Sequence, residues 1–245
     1  MHSQIQPRWT LGLSATPYRT DRIKLCFDQV IRDAGIAQLI ADGYLSPYHH
    51  FTIPKYTPEA VARLLIDEPE RWGQSLVFFH RREQCQQLAA LLEQAEVSCD
   101  VVTAATNRER QLDDFEQGKT RVLINMAILT EGFDCPRLQT VFVRPSGKGC
   151  TIQMAGRVLR TAPEHPFKQI VQCRETPHPM LKTAMAAEQY ILTPEGWRTI
   201  KANRRIDEIA RSSRAIAART NVKLPALVSA NRRRGRMFRR NQPGL

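Results

Sequence analysis

Apolar and polar positions change period repeatedly along the chain. Short, mainly apolar runs predict buried strands at residues 76–79, Val122–Asn125 and 140–143, and 100–103 and 169–173 read as two more. Between them the spacing shifts to threes and fours. Residues 81–94 predict a helix whose inner stripe is Cys85, Leu88, Ala89, Leu92 and Ala95. Thr106-Asn107-Arg108-Glu109 reads as a capping box opening a second helix, with Leu112 and Phe115 inward. A shorter helix is predicted over Pro58–Asp67, and another over residues 28–41, stopped by Gly43. Trp9, Leu11 and Leu13 alternate and predict a strand over residues 8–13.

Strands alternating with helices predict an α/β fold with a parallel sheet covered on both faces. The pattern changes after Thr176-Pro177-His178-Pro179. Beyond it we expect a helix at 181–189 and a turn at Pro194-Glu195-Gly196-Trp197. A helix within 205–219 (Ile206, Ile209, Ala210, Ile216 and Ala217) and a short one at 225–233 complete a mainly helical tail. The expected organisation is residues 1–47, 48–176 and 177–245. No internal repeat interrupts it.

A length of 245 residues allows one α/β domain of ordinary size with appendages. Charge changes the picture more. Residues 198–240 hold 14 Lys and Arg against 2 Asp and Glu, which accounts for the whole net charge of +12; residues 1–197 hold 22 of each sign. A neutral body with a basic tail points to a polyanionic partner, DNA or RNA, with a disordered solubilising arm as the rival reading. Arg232, Arg233, Arg234 and Arg236 suit a salt-sensitive, sequence-blind grip on phosphates; a helix-turn-helix reader or a minor-groove insertion is a narrower alternative. The six cysteines show no Cys-x-x-Cys pair, so we expect no metal site but buried free thiols in a reducing compartment. No apolar run approaches 18 residues and no signal peptide is visible. The expectation is a soluble, cytoplasmic protein with no membrane partner.

Candidate chemistry concentrates in three segments. Gln153-Met154-Ala155-Gly156-Arg157-Val158-Leu159-Arg160 reads as a turn and a half of helix, with Gln153, Arg157 and Arg160 sharing a face at i, i+4 and i+7. Two guanidinium forks on one face suit phosphate oxygens, the arrangement of an arginine finger in phosphoryl transfer; a solvated basic face is the plainer alternative. Upstream, Leu129-Thr130-Glu131-Gly132-Phe133-Asp134-Cys135-Pro136 follows a strand, where ligands of open α/β sheets sit. Gly132 admits close backbone approach, Asp134 offers a carboxylate to a ribose, and Thr130 offers a hydroxyl and N–H to a nucleic-acid phosphate. Near the start, Ser14-Ala15-Thr16 places two small hydroxyls after a strand, fit to couple a nucleotide site to a neighbouring surface.

In order and spacing these segments resemble the later motifs of superfamily 2 helicases and translocases. Ser14-Ala15-Thr16 is similar to motif III, and Ser75-Leu76-Val77-Phe78-Phe79-His80-Arg81 to motif IV. Thr130 to Pro136 resembles motif V in the Glu-Gly-Phe-Asp form of the restriction-translocase and repair-helicase branch. Gln153 to Arg160 resembles motif VI. The resemblance covers residues 9–173 and is most specific at motif VI. It implies a second RecA-like lobe, with residues 1–47 a remnant of the first lobe and a crossover. Arg157 and Arg160 would sense the γ-phosphate, Gln153 would organise polar groups near the nucleotide, and Asp134 would touch the ribose. Thr130, with Arg81 and Thr103 as weaker candidates, would contact the nucleic-acid backbone. Ser14 and Thr16 would couple the two.

Such an enzyme needs a Gly-x-x-x-x-Gly-Lys-Ser/Thr loop and an Asp-Glu pair for Mg²⁺. Gly118-Lys119-Thr120 fails as that loop because Asp113 stands five positions before Gly118 and a strand follows. Ser146-Gly147-Lys148-Gly149 lacks the hydroxyl residue after its lysine, and Asp67-Glu68 lies on the wrong side of motif III. The expectation is therefore half an engine, begun between motifs II and III. It would share ATP and Mg²⁺ with a first lobe or a full helicase in trans, act on DNA in preference to RNA, and be inactive alone. Two alternatives stay open: a non-catalytic nucleic-acid-binding module or decayed fragment that uses its tail, and a normal helicase whose gene start was misplaced.

Overall fold

Leu76 and Phe78 pack on one side of the strand Ser75–Phe78 (β2), while Val77 and the following Phe79 pack on the other. All four are at most 1% exposed. Apolar residues on both sides of the pleat require a cover on both faces. The same division holds along Val122–Asn125 (β4), with Leu123 against Val122 and Ile124, and along Thr140–Phe142 (β5), with Val141 against Phe142. This computed structural model describes Gly12, residues 34–126 and residues 134–200. The strand expected at 8–13, Ser14, Thr16, Thr130, Gly132, the tail helices and Arg232, Arg233, Arg234 and Arg236 lie outside the described residues.

The remaining elements are helices Ile36–Ala41 (α1), Pro58–Asp67 (α2), Pro69–Trp72 (α3), Arg82–Gln94 (α4), Arg108–Glu116 (α5) and Lys148–Gly156 (α6). Strands Tyr48–Ile53 (β1), Cys99–Val102 (β3), Lys168–Cys173 (β6), Glu188–Thr193 (β7) and Gly196–Ile200 (β8) complete a sheet of order β3-β4-β2-β5-β6-β1-β7-β8. Every described pairing is parallel except β7 with β8. The α/β class and the RecA-like arrangement of a mostly parallel sheet with helices are as expected.

α2 and α4 are in contact with each other, and their buried residues share one core with Val77, Ile124, Phe142 and Val171. On α4 the inward residues are Cys85, Leu88, Ala89 and Leu92; Ala95 is its exposed C-cap. α2 starts at Thr57, whose side chain accepts from the Ala60 N–H at 3.2 Å, and at Pro58 in the first turn, where a missing N–H costs nothing. The opposite core holds Phe115 of α5 and Met154, Ala155, Val158 and Leu159 around α6, packed on Tyr48, Leu76, Phe78, Leu123 and Ile170.

Four local expectations are corrected. The helix expected at 28–41 starts at Ile36 in its described part, because Gly35 is an extended N-cap (φ −90°, ψ 164°); its stop at Gly43, with φ +78°, is as expected. Residues 48–53, where the sequence pattern predicts no strand, form β1 between β6 and β7. The capping box at Thr106 does not form: its hydroxyl accepts from the Thr103 N–H at 2.9 Å and donates to the Thr103 carbonyl at 3.0 Å, so Asn107 caps α5 through the Arg110 N–H at 3.2 Å.

The fourth correction concerns residues 181–189. Only a 3₁₀ turn, Met180–Lys182, precedes the β7–β8 hairpin. Small buried Ala184 and Ala186 let the backbone press onto β1, where the Tyr48 hydroxyl donates to the Ala184 carbonyl at 2.6 Å. The Ala187 N–H donates to the Tyr48 carbonyl at 2.8 Å. Tertiary pairing overrides the helix propensity of this alanine-rich stretch. Phe51 stacks on Tyr190 at 4.7 Å and meets the edge of Trp197 at 5.1 Å, and Trp197 Nε1 donates to Glu68 at 2.7 Å. These contacts extend the sheet past residue 176.

Inside the sheet, His50 is 3% exposed and bonds Gln172 through Nε2 at 3.1 Å. Burial lowers its pKa from the ordinary 6.5, with the Gln172 bond opposing. His49, His165 and His178 are lowered too, each chiefly by burial. The unfolded chain then takes up protons near pH 6.5 that the fold refuses, so this stability is full above 6.5 and is lost as pH falls below it. Thermal midpoints measured from about pH 7 down to about pH 5 should fall. His50→Gln should flatten part of that slope; an unchanged slope contradicts this account of His50.

Candidate nucleotide and nucleic-acid site

The chain runs from β2 outward to β3 and β4, then returns past β2 to β5. Ligands of open parallel sheets bind beyond the carboxyl ends of strands at such a reversal. The described residues leaving that edge are His80 and Arg81 after β2, Thr103 after β3, Met126 after β4, and Arg144 after β5.

α6 carries the arginine segment, and here the expected geometry is corrected. The helix ends at Gly156. Arg157 is its C-cap with helical dihedrals (φ −62°, ψ −32°), so Gln153 and Arg157 keep their i, i+4 relation, both half-buried. Arg160 lies past the helix, so the expected i+7 face does not exist. The cause is packing: Val158 and Leu159 are each 1% exposed and draw the chain into the core. The N–H groups of Arg157 and Val158 tighten to i−3 carbonyls at 3.3 and 3.2 Å. Ser46 then clamps the exit, its N–H donating to the Leu159 carbonyl at 2.8 Å and its hydroxyl to the Arg160 carbonyl at 3.2 Å.

The fold brings Arg160 to Asp134 instead, in an ion pair. The two side chains are 45% and 55% exposed, so the pair faces water rather than being sealed inside. An exposed pair of this kind is worth about 0–1 kcal/mol and exchanges readily. Two segments 26 positions apart in sequence thereby converge on one surface.

Asp134 stands at the head of a segment held from below. Lys168, 0% exposed, donates from Nζ to the Pro136 carbonyl at 2.7 Å and the Leu138 carbonyl at 2.8 Å. Burial lowers the pKa of this ammonium, while the neighbouring Cys135 thiol acts the other way. Burial also raises the Cys135 thiol. Lys168 gave no signal in sequence beyond a lone charge at a strand start.

Arg81 is exposed at the N-cap of α4, where its N–H bonds the Gln84 side chain at 3.2 Å. The Thr103 N–H is taken by Thr106, while its hydroxyl accepts from the Ala105 N–H at 3.2 Å and keeps its own proton to donate. Missed in sequence were His80 and Arg144, which meet at this edge through a 2.8 Å bond.

Cys85, Cys135 and Cys173 are buried as expected, Cys99 is half-buried, and Cys150 is exposed at the start of α6. Among the described residues no group of three His, Cys, Asp or Glu is placed to hold a metal ion. None of the helices formed by the described residues is long and apolar enough to cross a membrane.

Residues 57–162 match the family described as the helicase conserved C-terminal domain. The matched stretch runs from α2 to the arginine segment. A 51.5 kDa protein of a Lactococcus phage is 25% identical over 56% of this chain and 36% of its own length. The Saccharomyces cerevisiae protein named "Putative ATP-dependent helicase IRC3" is 25% identical over 61% of this chain and 27% of its own length. The chain thus spans about a third or less of the relatives it matches. Among solved structures, Saccharomyces cerevisiae Dbp5 bound to RNA and ADP BeF3 superposes with a TM-score of 0.42 and 18% identity, covering 52% of this chain and 35% of that one.

Replacing Lys168 by Met should leave the Pro136 and Leu138 carbonyls buried without a donor. We expect a loss of about 1–3 kcal/mol in denaturant unfolding. An unchanged stability would contradict the role given to the ammonium.

Proposed function

We propose that this chain is the arginine-bearing second lobe of an ATP-dependent superfamily 2 nucleic-acid helicase or translocase, of the restriction-translocase and repair-helicase type. The observation that carries the reading is the convergence of Asp134 and Arg160, from two segments distant in sequence, on one exposed surface at the amino-terminal end of the sheet, where Lys168 at the start of β6 and Ser46 ahead of β1 hold their backbones. The helicase C-terminal match over residues 57–162 supports it. The Glu131-Gly132-Phe133-Asp134 form of the loop supports the branch.

In this reading ATP lies between the surface carrying Asp134, Arg157 and Arg160 and a first lobe outside these 245 residues, which supplies the phosphate loop and the Asp-Glu pair for Mg²⁺. Bound ATP supplies the phosphoryl group that is transferred to water. Arg157 and Arg160 stabilise the charge that grows on that group, as fixed, permanently charged forks. Arg160 exchanges its weak surface partner Asp134 for phosphate oxygens, and the freed carboxylate takes a ribose hydroxyl. Gln153, one helical turn before Arg157, organises polar groups at the nucleotide. Closure of the cleft carries Thr130 and its loop along a nucleic-acid strand, with Ser14 and Thr16 coupling the two events. DNA is the favoured substrate, and the basic tail adds a sequence-blind hold on it.

The test is nucleic-acid-stimulated ATP hydrolysis in a mixture of this chain and a matching first lobe. Arg157→Ala should lower the rate roughly 100-fold or more. An inactive mixture, or full activity in the variant, overturns the reading. The placing of the whole +12 excess at residues 198–240 favours one rival, a binding module without catalysis. Its signature is salt-dependent binding that ATP leaves unaltered.

A further inference from the structure

β2 and β5 are neighbours, and the residues just past their carboxyl ends meet. Arg144 Nη1 donates to His80 Nδ1 at 2.8 Å and to Ser146 Oγ at 3.0 Å. His80 Nε2 lies 3.0 Å from the Pro145 carbonyl, which can only accept. Nη1 also lies 3.2 Å from His80 Nε2, so the guanidinium rests against the ring and not against one nitrogen alone. His80 therefore orients the guanidinium without neutralising it.

Five described cations pair with carboxylates, and the buried Lys168 is met by two carbonyls. Arg71 pairs with Glu68, Arg110 and Lys119 with Asp114, Arg160 with Asp134, and Arg198 with Glu195. Arg144 makes no ion pair among the described residues, although it is half-buried and its Nε is buried with no hydrogen-bond partner. Holding a guanidinium partly out of water without an anion is costly, so the arrangement calls for an anion from outside. The surroundings agree. Arg81, Arg82 and Lys148 are exposed close by in the chain, and the first turn of α6 contains no acidic residue.

This cannot be the phosphate served by Arg157. Arg144 precedes the N-terminus of α6 and Arg157 caps its C-terminus, and nine residues of helix separate the ends by about 13 Å. We propose that Arg144, aimed by His80 and Ser146, seats a backbone phosphate of a single nucleic-acid strand that crosses the carboxyl edge at β2 and β5. This rests on the nucleic-acid reading above and gives it a contact that the motifs do not contain.

The test uses the full chain with Arg232, Arg233, Arg234 and Arg236 changed to Ala, so that the tail does not mask the edge. Binding of labelled single-stranded DNA and RNA 12-mers is followed by anisotropy across a salt series. Arg144→Gln should weaken binding roughly 3- to 10-fold and reduce the log–log salt slope by about 0.7, the share of one phosphate on a single strand. Arg144→Lys should recover part of the affinity. Unchanged affinity and slope in Arg144→Gln overturn the seat while the nucleic-acid reading stands. Failure of the unmodified chain to bind either oligonucleotide overturns both. A loss confined to ATP binding assigns the phosphate to the nucleotide and also overturns the seat. If Arg144→Gln does not fold, arginine modification by phenylglyoxal decides on the unmodified chain: the oligonucleotide, and not ATP, should slow the reaction at Arg144, and equal rates overturn the proposal.

Discussion

A parallel sheet sends the carboxyl ends of all its strands to one edge. In this chain that constraint does more for function than any single side chain. β2, β4 and β5 run side by side in the same direction, so the loops that follow them emerge together. Residues as distant in sequence as His80 and Arg144 become neighbours there without long connections, while Asp134 and Arg160 meet at the opposite end of the strands. The hydrophobic cost of the arrangement is a double cover, met by α2 and α4 on one face and α5 and α6 on the other.

Polar anchors then hold the functional ends in place. Lys168 fixes the carbonyls just after Asp134, and Ser46 fixes those of Leu159 and Arg160. Both are nearly or wholly buried, at 0% and 3% exposure, so their bonds are worth more than surface pairs. The charges they position lie at the surface, where they are free to change partners. A rigid underside with an exchangeable outer face is what a site needs if it is to meet ligand and partner lobe repeatedly.

The readable part of the fold was its apolar arithmetic. β2, β4 and β5 are short, largely apolar runs, β6 centres on Ile170-Val171, and α2 and α4 show helical stripes that nothing in the tertiary structure opposes. β1 was not readable because Tyr48-His49-His50-Phe51 mixes polar residues into a buried strand, and His50 is satisfied only by Gln172, 122 positions away. The β7 approach was misread because alanines that favour helix serve here as small residues against β1. Of the site, Asp134, Gln153, Arg157 and Arg160 were legible as motif residues, but their spacing implied a continuous helix that the burial of Val158 and Leu159 ends. Arg144 and His80 were not legible, since a polar residue after a strand looks like any loop. Only adjacency in the sheet gives that pair its meaning.

The claim on which the account stands is that the carboxyl edge, and not only the basic tail, is the surface that meets nucleic acid. Amide hydrogen exchange of the full chain with and without a single-stranded oligonucleotide tests it directly. Protection at residues 80–82 and 143–150 is the predicted result. Protection confined to residues 198–245, with the edge unchanged, would contradict it.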